Sequence, residues 1–331
     1  MDMWRHGKIC RNTERRNTMR NKNPRNTMSI VARIMTALGL LGAVAATGLR
    51  VWVFPAQQDM DTGLFVSNTT VIVMMLAIVG ALAALTFVTR GGPRQEITGK
   101  PPLLLSVVLL AVGAALSVTG IADIFTALGE KPLVETAVWS LVMRWAQRLF
   151  CLLGGVALVR LGLLLASESA TRRGIAQWSV LAPVLWMWFV LANYEMSYAS
   201  MVRLSDGFFT LGTYIFELLF LFYFARYMAG VGKVGAGTLL LFSCGATLFA
   251  ISTPVTKMLM YLLQDVEAYA VGTTGVLDLA VGVLALVVSI TLCQSLSAPS
   301  AEVAEEETEE APVAEESEAE LMEGFEDSNE E

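Results

Sequence analysis

The sequence predicts an all-α membrane protein, a bundle of about eight transmembrane helices. Its composition, with 55% apolar residues, 16% charged residues and a mean hydropathy of +0.58, does not suit a soluble domain of 331 residues. Eight apolar stretches occur, most of them close to the ~20 residues that a helix needs to cross about 30 Å of hydrocarbon. The strand-type alternation of a membrane barrel is absent, and backbone groups in lipid must be satisfied internally, so each stretch is predicted to be a helix.

The predicted helices follow one another within a transmembrane domain at 29–298. They span approximately 30–54, 69–89, 102–122, 137–165, 175–194, 208–228, 237–262 and 273–296. Pro183 and Pro254 fall inside the fifth and seventh stretches, where a proline removes a backbone donor and is expected to kink the helix. The apolar region 135–167 exceeds one crossing, so the fourth helix could begin near Thr136 or only at residue 149.

Basic residues alternate between the loops and indicate the orientation of the bundle. The segment before the first helix carries eight of them, whereas the first loop after it carries only acids. Basic residues occur again in every second loop, at Arg90, Arg94, Lys100, Arg172, Arg173, Arg226 and Lys233. Because Lys and Arg near helix ends are retained on the cytoplasmic side, both termini are predicted to be cytoplasmic. We expect the plasma membrane as the location.

The two ends of the chain differ from the apolar domain between them. Residues 1–28 are basic and polar, and we interpret them either as a disordered arm or as lying upstream of a true start at Met28. Residues 299–331 are predicted to be a disordered cytoplasmic tail, because 301–331 hold 15 of the 30 acidic residues and no base. In the tail, Leu321, Met322 and Phe325 could bury together on a protein partner. Membrane lipids are the other expected partner, and nucleic acid is not expected.

A single glutamate, Glu217, interrupts the apolar run FTLGTYIFELLFLFYFARYM. It lies about nine residues into its predicted helix, roughly 14 Å deep at ~1.5 Å per residue. A lone ionised carboxylate is too costly at that depth, so Glu217 must be protonated or paired. If the fourth helix begins near Thr136, Arg144 and Arg148 lie on one face at a similar depth. We therefore predict an ion pair or cluster of Glu217 with one or both arginines.

Asp278 is a second charge inside a predicted membrane helix. It lies five or six residues into the eighth stretch, and Lys257, beyond the proline of the seventh, is its candidate partner. Together with Glu217, Arg144 and Arg148, these residues are predicted to line a polar cavity open to the outside. The alternative is that each pair only fixes the packing of its helices.

The sequence contains no recognisable catalytic set. The only histidine is His6, there is no GxxxxGK[ST] loop, and the four cysteines lack metal-binding spacing, so no catalytic residue, metal or cofactor is predicted. We therefore favour a scaffold or accessory subunit without enzymatic activity. The alternatives are a secondary carrier with a polar site around Glu217, and a membrane enzyme that acts on lipid with carboxylates alone.

Overall fold

The computed structural model describes residues 24–57, 69–89, 103–129, 138–167, 179–198, 204–230, 235–264 and 271–297. These residues form eight α-helices and no strand. The helices are α1 (Pro24–Gln57), α2 (Thr69–Thr89), α3 (Leu103–Gly129), α4 (Val138–Ala166), α5 (Ala182–Tyr198), α6 (Leu204–Met228), α7 (Ala236–Gln264) and α8 (Thr273–Ser297), with a 3₁₀ turn at Ser179–Leu181. Seven of them are long and apolar enough to cross a membrane. The exception is α5, which has 17 residues. The predicted fold class, a helical membrane bundle, is confirmed.

Some boundaries differ from the prediction. Helix α1 begins at Pro24, inside the segment assigned to the N-terminal arm, and α3 continues to Gly129 rather than ending near 122. A search for apolar runs does not detect the polar turns by which a helix continues beyond the hydrocarbon. Helix α4 is continuous from Val138, which agrees with the earlier of its two possible starts. The tail residues proposed to bind a partner, Leu321, Met322 and Phe325, lie outside the described residues.

The two prolines behave differently. Pro183 is the second residue of α5, where its missing N–H would have no helical partner in any case, so the predicted kink of the fifth helix is wrong. Pro254 lies in the interior of α7, as predicted. It has no N–H to offer to the carbonyl oxygen of Ala250, one turn earlier in the helix.

Helices α3 and α4 pack antiparallel, with their backbones in direct contact. A methyl group at Gly113 would lie 2.7 Å from both the carbonyl oxygen of Gly155 and the backbone nitrogen of Val159. Glycine permits this approach because it has no Cβ. On its other side α4 packs along α5, where the Asn193 side chain donates a hydrogen bond to Gln147 Oε1 at 2.6 Å.

Helix α7 lies at the centre of a group of helices formed with α1, α6 and α8. It runs antiparallel to α6 and parallel to α1, where Gly39 lies against Cys244 and Gly42 against Leu248. It also packs against α8, where a methyl group at Gly282 would lie 3.0 Å from the Cβ of Ala250. Helices α7 and α8 are the most buried of the seven candidate spans. The polar residues of α7 and α8 are therefore largely shielded from the surroundings of the bundle.

Candidate functional site

The candidate site centres on Glu217, the fourteenth of the 25 residues of α6. Its side chain is fully buried. Neither Oε1 nor Oε2 has a hydrogen-bond partner among the described residues. An unsatisfied polar group of this kind typically costs about 1–3 kcal/mol in a protein interior, so Glu217 is a cost to the stability of the bundle.

The predicted ion pair of Glu217 with Arg144 or Arg148 is not formed. Arg144 is exposed, and the guanidinium carbon of Arg148 lies 5.5 Å from the centre of the Trp145 ring. Both arginines belong to α4, which packs along α3 and α5, whereas α6 packs along α5 and α7. Glu217 and the two arginines were predicted to lie at similar depths, but α4 and α6 are not neighbours. The two arginines therefore do not belong to the site.

The charged residue that the structure does bring close to Glu217 is Asp278, the sixth residue of α8. Asp278 is buried, and its Oδ1 has no hydrogen-bond partner among the described residues. It lies close enough to Glu217 for an electrostatic interaction between the two acids. Lys257 of α7 lies close enough to Asp278 for a favourable one. The site thus brings together two acids and one base from three helices.

Asp278 and Lys257 line a cavity of about 180 Å³ between α6, α7 and α8. It lies at the end of the bundle where α7 ends and α8 begins, which we call the predicted outer end. Its polar lining is completed by five hydroxyl groups, those of Thr210, Thr213, Tyr214, Thr253 and Thr274. A cavity of this size with polar walls can hold several water molecules or a small polar solute.

Thr213 lines the cavity and lies four residues before Glu217 in α6, so it shows where the glutamate lies relative to the cavity. Its hydroxyl oxygen lies 2.9 Å from the carbonyl oxygen of Phe209, 3.3 Å from that of Phe249 and 3.2 Å from the hydroxyl of Thr253. This face of α6 therefore points to α7. Residues four apart share a helix face, so Glu217 lies one turn deeper than Thr213, below the floor of the cavity.

Further hydroxyl groups lie on the other side of Glu217, towards the start of α7. The Ser243 and Ser289 hydroxyl oxygens are 2.7 Å apart and join α7 to α8, with Cys244 Sγ 3.8 Å from Ser289. Cys293 Sγ lies 3.2 Å from the hydroxyl of Thr36 in α1. The sequence analysis did not identify this cluster, although Ser243 and Thr247, four apart in an apolar stretch, were a usable signal.

Arg50 of α1 is a buried charged residue that the sequence analysis did not single out. It is buried, and its guanidinium carbon lies 4.0 Å from the centre of the Phe209 ring, which is a cation–π contact. The signal was present, because Arg50 falls inside the first predicted helix. Phe209 lies two turns before Glu217 in α6, so Arg50 contacts the same helix nearer the predicted outer end.

In comparisons with known proteins, no family model, no curated protein and no solved structure matches this chain. Function must therefore be argued from the site. Among the described residues, no group of three or more His, Cys, Asp and Glu side chains could hold a metal ion. Because Glu217 is fully buried, Glu217 and Asp278 do not share a lipid-accessible surface, which the carboxylate-enzyme hypothesis requires.

Proposed function

We propose that this chain is a secondary carrier whose solute-binding site is the cavity between α6, α7 and α8. The observation that carries the proposal is a polar cavity lined by Asp278 and Lys257, with Glu217 buried below it and without a hydrogen-bond partner among the described residues. A charge that only fixes helix packing is expected to be paired, since an unpaired one costs stability. Unpaired ionisable groups inside a membrane bundle are typical of solute and ion pathways.

The lining of the cavity favours a small zwitterionic solute. Asp278 suits an ammonium group and Lys257 suits a carboxylate, and the hydroxyl groups between them can donate or accept hydrogen bonds. The alternation of basic and acidic loops supports an orientation with both termini cytoplasmic, and the plasma membrane is the location that we propose. In that orientation the cavity lies at the outer end of the bundle.

The scaffold hypothesis predicts a different bound partner for the protein. It rests on the acidic tail at 299–331 and on the lack of a catalytic set. A scaffold has no need of a solute in the cavity, and its binding partner would be a polypeptide. The two proposals can therefore be separated by identifying what the purified protein retains.

The test is native mass spectrometry of the full-length protein, extracted gently from its own membrane. We expect a retained small solute that is lost in Asp278→Asn and kept in Asp123→Asn, because Asp123 belongs to α3 and does not line the cavity. The retained compound then defines an uptake assay in proteoliposomes. Retention of lipid alone, or of a second polypeptide lost on removal of residues 301–331, would overturn the carrier proposal.

A further inference from the structure

We infer that Glu217 is a proton-binding residue, and that solute in the cavity and the proton on Glu217 compete. This inference rests on the proposed carrier function and makes the carrier a proton-coupled exchanger. The carboxyl group would hold a proton while the cavity is empty and release it when a cationic group of the solute approaches Asp278. The carboxylate formed at that step would be stabilised by the solute's positive charge.

The surroundings of Glu217 favour a proton over a metal ion. A hard metal cation in a protein is held by several oxygen ligands, and Glu217 has no polar partner among the described residues. The neighbouring side chains on α6 are apolar, with Phe216 packed against Gly245 and Phe220 fully buried. A proton needs no further ligand, and the neutral acid is the form of a carboxyl group that apolar surroundings accommodate at least cost.

The charged and titratable groups around Glu217 explain the competition. Asp278 of α8 lies close enough to Glu217 for an electrostatic interaction, and two negative charges at that range repel each other. Lys257 of α7 partly offsets that charge. Arg50 of α1 lies over Phe209, two turns away, and Tyr214 of α6 lines the cavity. A solute ammonium on Asp278 would cancel the repulsion between the two acids, and Glu217 could then ionise.

Polar groups on both sides of Glu217 could pass a proton along the interior of the bundle. Along α7 they run from Lys257 through Thr253 to Thr247 and Ser243, about 21 Å at ~1.5 Å per residue. Ser243 continues into α8 through its contact with Ser289. The carbonyl oxygen of Ala250, which Pro254 leaves without a helical donor, lies between these two groups of hydroxyls.

The test is infrared spectroscopy of the full-length protein in lipid, recorded across a pH series in H₂O and in D₂O. A protonated carboxylic acid has a C=O band separate from the amide and carboxylate bands, and this band shifts when the proton is replaced by deuterium. Near pH 7, where exposed carboxyl groups are ionised, we expect such a band in the wild type, shifted in D₂O and lost at higher pH. It should be absent in Glu217→Gln, displaced but present in Glu217→Asp, and unchanged in Glu195→Gln, a matched change at an exposed glutamate of α5.

Two results would overturn the inference, and neither depends on a variant that folds. One is a wild-type spectrum without a protonated-acid band near pH 7, where the exposed carboxyl groups are ionised, because Glu217 would then be ionised as well. The other is a band that never shifts in D₂O, which would mean that the proton is sealed in and cannot be transported.

The infrared test of this inference and the mass spectrometry test of the proposed function can fail independently. Solute retention in the mass spectrometer without an exchangeable band on Glu217 would support the carrier proposal and refute its coupling to a proton. A titrating, exchanging band without any retained solute would overturn the carrier and keep the proton site. When both are found, adding the retained solute to the protein in weakly buffered solution should release protons from the wild type and not from Glu217→Gln. Absence of proton release in the wild type would refute the competition.

Discussion

Replacing Glu217 with methionine is expected to stabilise the protein. Methionine has a similar length and volume to glutamate, so the packing around α6 is largely kept. The substitution removes two buried oxygen atoms that have no hydrogen-bond partner among the described residues. A buried unsatisfied group costs about 1–3 kcal/mol, and we expect the free energy of unfolding to rise by an amount in that range.

The free energy of unfolding can be measured by titrating the protein in mixed micelles with a denaturing detergent and following its helical signal. The matched control is Glu195→Met, at an exposed position of α5, where a change within about ±0.5 kcal/mol is expected. If Glu217 instead belonged to a structural ion pair, removing it would strand a buried partner and destabilise the protein by about 3–5 kcal/mol. A loss of that size would refute the description of Glu217 as an unpaired group.

Three further predictions concern regions outside the site. Gly113→Ala should lower the free energy of unfolding by about 1–3 kcal/mol, because the added methyl group meets the backbone of α4. The control, Gly80→Ala, places its methyl group in open space and should not destabilise the protein. Equal effects of the two changes in a melting experiment would contradict this packing. Phe209→Leu should destabilise by about 2 kcal/mol beyond the loss of apolar area, because the ring beneath Arg50 is removed; a loss explained by area alone would contradict the cation–π contact. Removal of residues 301–331 should leave membrane insertion and the melting temperature unchanged, and failure to insert would show that the tail is part of the fold.

The sequence was sufficient to predict the helices, because each is set by a local property. An apolar stretch in lipid has to be helical, and its length is bounded by the bilayer. The partial exception is α5, where 17 helical residues replace the predicted 175–194 and Pro183 marks the start of the helix rather than a kink. Apolar composition alone does not distinguish the first turn of a helix from the loop that leads into it.

Which helices touch was harder to predict than where they begin and end. Asp278 and Lys257 were considered together because consecutive helices joined by a short loop are usually neighbours, and both line the same cavity. Glu217 and Arg148 were matched by depth alone, and depth does not say which helices lie side by side. That information resides in small residues such as Gly113 and Gly155, whose partners become visible only in three dimensions.

The parallel packing of α1 against α7 has a consequence for how the protein is made. Gly39 and its partner Cys244 are separated by about 200 residues of chain, which take roughly 10–40 s to synthesise at ~5–20 residues per second. Throughout that time the first helix is already in the membrane, and its glycine-containing face has no α7 to pack against. The bundle can close around α7 only when synthesis is almost complete. A nascent chain that stalls before α7 would thus leave in the membrane an N-terminal part whose α1 lacks this contact.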